Sequence, residues 1–448
     1  MAEAAGVFYA VETMVEGAVA AVKGVYDPTL PLRADLVRMS DIKLPRYAHT
    51  VSLVKGRAYI FGGVIETEAG GKEILADNDI HVVILPISGT ENSDYKRIVA
   101  EQESPPARCG HSAAVIDDQI YIYGGSSSLD GTPLDEDGTV WTFSTTSSTW
   151  KKLTPSPDFP TPPSRGKHAS VASRHPQKPF KRTDENLVPQ LDSDPAKHVP
   201  EPAAALTYGT LIIHGGVTLS GEEGLEALND VWSFDISSRV WSRLPSPPSP
   251  VRATAAPALA IDGTRLYTYS TDGVQSMDLT ASTFSDKGGE GELGIAALGP
   301  WTPAAKDTSG KGPGDRSGAS VFQVTTGQGR KYLALLGGER DSASAGTEMK
   351  GDIWTLQMQP EGMTAASFKD AARMAVKRET GEKDWAEVRY FDSEGVMVQE
   401  GQVGRGIGAR EGFAADRDGD EDGGTVFVHG GKVDGKIDGD GILVTFGI

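Results

Sequence analysis

The sequence predicts an all-β protein, a closed β-propeller of six four-stranded blades. Three observations predict it. One unit recurs along the chain: an Arg with a His three residues later, a strand, a second apolar strand ending in a glycine pair, a polar loop, a third strand, and a short fourth strand opened by an aromatic residue. The 54 glycines and 27 prolines recur as turns between short strands require. The last unit stops one strand short, while a spare alternating strand, 34–39, precedes the first. Pairing the two closes the ring and leaves no sheet edge at the seam.

Length alone would divide 448 residues into two or three domains, but a ring of repeats runs long as one unit. The predicted division is a helical segment over 1–30 and a propeller over 31–448. In the first, Val7, Val11, Met14, Val15, Ala18 and Val22 recur at helical spacing, with Glu12, Glu16 and Lys23 elsewhere around the helix. This segment is expected to dock on the main domain, because its acidic polar face disfavours a membrane anchor.

The units then follow in order. The first runs from PRYAHTVSLVKGRAYIFGG to YKRIV, and the second from PARCGHSAAVIDDQIYIYGG to WKKL. The third carries the clearest strands, YGTLIIHGG, NDVWSFD and WSRL. The fourth, VRATAAPALAIDGTRLYTYSTDG, is degenerate and reaches its fourth strand at Trp301. The fifth contains KYLALLGGE and GDIWTLQM, and the sixth ends on GDGILVTF. Three insertions interrupt them: a Pro-rich polar loop over 174–203, a Gly/Pro/Lys-rich linker over 303–315, and a helix over 363–379 with Phe368, Ala371, Ala372 and Ala375 on one face.

A formal net charge of −19 argues against nucleic-acid partners and against anionic membrane surfaces. No run is long and apolar enough to span a bilayer. The single cysteine, Cys109, excludes an internal disulfide framework and suggests a reducing compartment. With no basic leader at the N-terminus, the expected location is the cytoplasm.

Arg46, Arg108, Arg165, Arg252, Arg316 and Arg410 each precede the innermost strand of a unit, so a ring brings them to one end of the channel. Converging guanidinium groups would bind a carboxylate, sulfate or phosphate in bidentate fashion. The same groups can instead tie blades together through backbone carbonyls or a nearby acid. His49, His111 and His168 fill the His position of the repeat and are expected to be structural. His214 and His429, at the glycine pairs, read as rim residues of the core. Asp418, Asp420 and Asp422 copy half of a calcium loop, but His429 stands where its closing Glu belongs, so an acidic hairpin turn is expected.

The Arg-x-x-His start, the glycine pair after an aromatic-rich strand and the downstream aromatic resemble kelch repeats, over nearly all of the chain from residue 34. The resemblance implies a six-bladed propeller and leaves function open, since propellers host enzymes and binding modules alike. Within kelch proteins the chain is similar to nitrile-specifier proteins and their fungal relatives, through Gly337-Gly338-Glu339 and the closing GDGILVTF strand. That resemblance implies an E-x-x-x-D-x-x-x-H set for Fe2+. Glu339 stands at its first position, with Ala343 and Thr347 at the second and third. An intact set occurs elsewhere as Glu73, Asp77 and His81, where His81 aligns with the strand residue Trp232 and coincidence in an acidic chain is the simpler reading. Galactose oxidase, another propeller of this type, needs a Tyr–Cys crosslink at copper; Cys109 lies in a repeat loop, and that chemistry is not expected.

The leading expectation is a kelch-repeat binding protein engaging a protein segment or a small anionic ligand at the channel mouth, without a cofactor. The alternative is an Fe2+-dependent lyase or isomerase of the nitrile-specifier kind, acting on a sulfated thioglycoside-derived aglycone. A third reading, an adaptor scaffold, finds no coiled-coil, BTB-like or F-box-like segment before the blades.

Overall fold

The structure, a computed structural model, describes residues 28–447 apart from 68–70, 87–92, 178–207, 221–223, 249–255, 271–272, 287–288, 306–311, 327–328, 343–345, 360–364, 379, 403 and 418–423. The helical segment expected over 6–24, most of the loop 174–203, Arg252 and the Asp418–Asp422 turn lie outside these residues.

Six sheets, antiparallel but for one strand, form the blades. Blade one is Thr50–Val54, Arg57–Phe61, Ile80–Ile84 and Asp94–Ile98. Blade two is Ser112–Ile116, Gln119–Tyr123, Val140–Ser144 and Thr149–Leu153. Blade three is Ala169–Ser173, Thr210–Leu219, Leu225–Asp235 and Val240–Leu244. Blade five is Ser320–Thr325, Lys331–Ser342, Gly346–Gln357 and Trp385–Glu387. The degenerate fourth blade begins with Ala258–Asp262 and Arg265–Ser270. Its third strand, Gly273–Asp286, is long enough to pair with two others: Thr302–Ala305 near its start and Gly289–Ala297 along the rest. The first strands stand side by side around the channel, from each blade to the next, through the full circle.

The ring closes as the sequence predicts. Arg33–Met39 pairs antiparallel with Gly441–Gly447, from Arg33 opposite Gly447 to Met39 opposite Gly441. It completes blade six after Ala414–Arg417 and Thr425–His429. Arg33–Met39 is not the edge of that sheet. Arg389–Phe391 adds to it in parallel, Arg33 opposite Arg389, as a fifth strand that the sequence does not announce.

Both faces of every blade are covered by neighbours, so the second strands are apolar in continuous runs rather than in alternation. In Gln119–Tyr123 all five residues are buried. Ile120 and Ile122 pack toward blade one, and Tyr121 and Tyr123 toward blade three. There are accordingly six apolar clusters, one for each pair of adjacent blades. Leu36 from the closing strand enters the cluster between blades five and six, while Met39 enters the one between six and one.

Helix α1, Ala365–Ala375, joins the third and fourth strands of blade five. Its inward side is polar. Asp370 and Arg373 are buried with Ala366, and Arg330 makes two hydrogen bonds of 2.6 Å to the Asp370 carboxylate. Phe368, Ala371 and Ala375, on the apolar side, are exposed. No helix among the described residues is long and apolar enough to cross a membrane, which says nothing of a β-barrel.

Candidate functional site

The loops entering the blades meet at one end of the channel, and their geometry repeats. The third residue of each Arg-x-x-His segment has left-handed backbone, including Ala48 (φ 52°) and Lys167 (φ 54°). These turns link hand to hand. Ala48 N–H donates to Gly412 O (2.7 Å), Gly110 N–H to Ala48 O (2.8 Å) and Lys167 N–H to Gly110 O (2.7 Å). The glycine pairs complete the seam. Gly125 N–H donates to Arg165 O of the next blade at 2.9 Å. A Cβ on Gly124 would lie 2.5 Å from that same oxygen, so no other residue permits the approach.

The five described arginine side chains each turn into their own blade. Each described one donates from Nη1 to the carbonyl of the first glycine in its own blade: Arg46 to Gly62, Arg108 to Gly124, Arg165 to Gly215, Arg316 to Gly337 and Arg410 to Gly430. Arg108, Arg165 and Arg316 then make two-pronged pairs with Glu136, Asp230 and Asp352, at 2.8 and 2.9, 2.7 and 2.9, and 2.5 and 2.7 Å. Arg410 reaches Asp438 at 3.2 Å. A strand-three tryptophan caps each of the first three carboxylates: Trp141, Trp232 and Trp354 donate to Glu136, Asp230 and Asp352. Burial pushes the Asp230 carboxyl up, but the Arg165 bonds and charge, with Trp232, outweigh it and hold the group below its ordinary range. Ligand capture by these four arginines is therefore corrected: they hold their own blades. Their acceptors are not among the residues singled out from the sequence. The signal was there in blades three and five as Asp-x-Trp at the head of the third strand (Asp230-Val231-Trp232, Asp352-Ile353-Trp354).

Arg46 is the exception. It is only 5% exposed, yet among the described residues no carboxylate pairs with it and its Nε has no hydrogen-bond partner. Blade one has Asp79 at the position of Asp230, but Asp79 bonds the Arg97 guanidinium and the Ala100 N–H (2.7 Å). His81 replaces the tryptophan and bonds Asp77 (3.1 Å) and the Tyr95 hydroxyl (2.8 Å). Burial pushes the Arg46 guanidinium below its ordinary value, opposed by the nearby Asp77 and Tyr95.

The two metal sets of the sequence are not assembled. Asp77 meets His81, but Glu73 points away, bonding the Tyr47 hydroxyl and the Lys432 ammonium, each at 2.7 Å. Glu73 lies in a small hairpin and His81 in a blade strand, so regular spacing along the chain does not bring the three together. Glu339 accepts from the Ser317 hydroxyl at 2.9 Å. Among the described residues no three His, Cys, Asp or Glu side chains are grouped to hold a metal ion.

The repeat histidines link blades. His111 Nε2 bonds Thr50 Oγ1 (2.8 Å), His168 Nε2 bonds Ser112 Oγ (2.7 Å), and His49 Nε2 bonds His429 Nδ1 (3.0 Å) across the closing seam. Burial, helped by the Arg165 charge, pushes His168 down to about 3, and burial beside Arg46 and Arg410 pushes His429 down to about 3. Both imidazoles are thus neutral in the fold and protonate more readily in the unfolded chain, near pH 6.5. Their contribution is complete above that pH and is lost as pH falls toward 3, by about 1.4 kcal/mol per pH unit per histidine. The expected result is a stability decline between pH 6 and about 4.5 that His168→Gln makes shallower by one proton, read from urea melts. An unchanged slope in the variant would show His168 to be protonated in the fold.

Residues 35–177 match the family described as the KLHDC2/KLHL20/DRC7 Kelch-repeats domain. The chain is 36% identical to human Kelch domain-containing protein 1 over 112 residues, 25% of this chain and 24% of that protein. It is 24% identical to the F-box/kelch-repeat protein At1g51550 of Arabidopsis thaliana over 216 residues, 47% of this chain and 36% of that protein. The chain thus spans well under two thirds of the curated relatives it matches. The solved structure of YjhT aligns over 91% of this chain and 99% of its own, with 14% identity and a TM-score of 0.50, a likeness of fold alone.

Proposed function

We propose that this chain, a six-bladed propeller built of kelch repeats, is a protein-binding module that takes a partner segment on the face carrying its arginine loops. The observation that carries the reading is Arg46. Four described blade arginines have a carboxylate from their own blade; Arg46, equally buried, has none among the described residues. A buried, unpaired guanidinium is costly unless an anion compensates it, and a carboxylate on a partner segment has the right shape for it.

Two features of the same face support a polypeptide over an isolated small anion. Hairpins rise past the glycine pairs of blades one, three, five and six: Val64–Glu66 with Glu73–Leu75, Gly216–Leu219 with Leu225–Leu228, Gly338–Ser342 with Gly346–Lys350, and Lys432–Val433 with Lys436–Ile437. They give the channel mouth walls. On blades two and three, Leu129, Leu219 and Leu225 are exposed, and Leu225 reaches over to Gly131 of the neighbouring loop. Exposed leucines beside a buried cation suit a segment with apolar anchors and one acidic group. The kelch names of the matched proteins agree with a binding role.

Panning a displayed random-peptide library on the intact protein tests the reading. The expected peptides contain Asp, Glu or a free C-terminal carboxylate. Their affinity falls at least about tenfold, roughly 1.4 kcal/mol, in Arg46→Met and in Leu225→Asp, and is unchanged in Lys55→Ala on the opposite face. No enriched peptide, or equal binding by all variants, would overturn it.

A further inference from the structure

Blades one and three are alike around the carboxylate that could meet their arginine. Asn78-Asp79-Ile80-His81 stands where blade three has Asn229-Asp230-Val231-Trp232. Both asparagines donate from Nδ2 to a proline carbonyl beyond strand four, Asn78 to Pro105 (3.1 Å) and Asn229 to Pro247 (2.8 Å). The two carboxylates thus start from like backbone positions. Strand four places a second arginine near each, with Arg97 opposite His81 as Arg243 is opposite Trp232. Yet Arg165 donates to Asp230, while Arg97 and the Ala100 N–H donate to Asp79. The blades differ in the fourth residue of the motif, His81 against Trp232.

The other described blades sort the same way. Trp141, Trp232 and Trp354 each donate Nε1–H to a carboxylate, and each of those carboxylates is held by two bonds from its blade arginine. Blade six has Ile442 there, opposite Val428 as Trp232 is opposite Ile213. It keeps the aspartate, as Asp440, but Arg410 reaches Asp438 instead. Asp440 Oδ1 is left buried with no hydrogen bond, 3.6 Å from the Lys43 ammonium.

Ring chemistry accounts for the sorting. An indole has one donor and no acceptor, and here it fixes a carboxylate oxygen two residues back along the strand. An imidazole is shorter and has two nitrogens to satisfy. His81 Nε2 bonds Asp77 (3.1 Å), and Nδ1 bonds the Tyr95 hydroxyl (2.8 Å). Burial pushes the Asp77 carboxyl up, but the His81 bond and charge, with the Arg97 and Arg46 charges, outweigh it. As a carboxylate Asp77 only accepts, so Nε2 carries the proton and the Tyr95 hydroxyl donates to Nδ1. Both nitrogens are used away from Asp79, which takes Arg97 and Ala100.

We propose that His81 is the positioning residue of the binding face: because it does not hold Asp79 on Arg46, that guanidinium stays open for an acidic group of a partner. This role rests on the binding reading of Arg46 and gives that opening a cause.

His81→Trp should turn Asp79 onto Arg46. Double-mutant cycles with Arg46→Met and Asp79→Asn, read from urea melts, measure that contact without any ligand. In the wild type the two residues should be uncoupled; in His81→Trp their coupling should reach at least about tenfold in the unfolding constant. Peptides enriched on the wild type should bind His81→Trp at least about tenfold more weakly, and adding Asp79→Asn should restore them. Altered packing at position 81 would not give that rescue. No coupling in His81→Trp, or weakened binding that Asp79→Asn leaves unrestored, overturns the role of His81. If no peptide is enriched, the binding reading of Arg46 falls, while coupling that appears in His81→Trp still shows residue 81 to set the pairing of Asp79. If the indole does not fit beside Tyr95 and His81→Trp fails to fold, the reverse exchange decides. Trp232→His should cut the Arg165–Asp230 coupling at least about tenfold, and an unchanged coupling overturns the proposal.

Discussion

Arg165→Met is expected to destabilise the propeller by about 3–5 kcal/mol, the usual result of removing one partner from a buried ion pair. Arg165 has no exposed surface, and it binds Gly215 O, Pro163 O and both oxygens of Asp230. Its loss leaves Asp230 with the Trp232 N–H and only the charge of Arg243, which makes no bond to it. Arg165→Met with Asp230→Asn, which removes the orphaned charge, should recover at least about 1 kcal/mol. Arg46→Met is the control. With one backbone acceptor and no carboxylate among the described residues, it should cost less than about 1 kcal/mol or stabilise. Urea melts of the four proteins decide the matter. Equal losses for Arg165→Met and Arg46→Met would mean that Arg46 is as firmly satisfied as its counterparts, and the binding role argued for it would fall.

Deleting residues 34–39 should abolish the single cooperative transition of the ring. The deletion strips the pairing from Gly441–Gly447, releases Arg389–Phe391, and removes Ala34, Leu36 and Met39 from the clusters on both sides of blade six. Two apolar interfaces and an open strand edge are then exposed together, which favours aggregation. Calorimetry provides the measurement: a deletion variant with the wild-type melting temperature and enthalpy would refute closure by this strand. Leu36→Asp is the milder version, placing an unpaired charge in the cluster between blades five and six.

The blades were legible in the sequence because each copy repeats the same turn chemistry, and a missing strand at one end matched a spare one at the other. Partner choice within a blade was harder to read. An arginine shows where a guanidinium will be, but not which carboxylate turns to it: Arg97 stands opposite His81 as Arg243 stands opposite Trp232, yet Asp79 bonds Arg97 while Asp230 bonds Arg165. The regular spacing of Glu73, Asp77 and His81, read from the sequence as coincidence with His81 in a strand, brings no three-residue site together: a hairpin and a blade strand send the first and last in different directions. For α1, periodicity identified the apolar face, while the buried Arg330–Asp370 pair decided that the other face would meet the propeller.

On the ribosome, Arg33–Met39 emerges before every other described strand, and its partner Gly441–Gly447 emerges last. At about 5–20 residues per second, the roughly 400 residues between them keep Arg33–Met39 from its antiparallel partner for about 20–80 s. During that interval Leu32, Ala34, Leu36 and Met39, all buried in the finished ring, have no permanent place. Blades one to five can assemble in order of synthesis, but blade six must wait for its partner strand Gly441–Gly447. Arg33–Met39 is thus a natural client for a chaperone, and translation speed should affect the yield of this protein more than that of a propeller whose blades are each continuous in sequence.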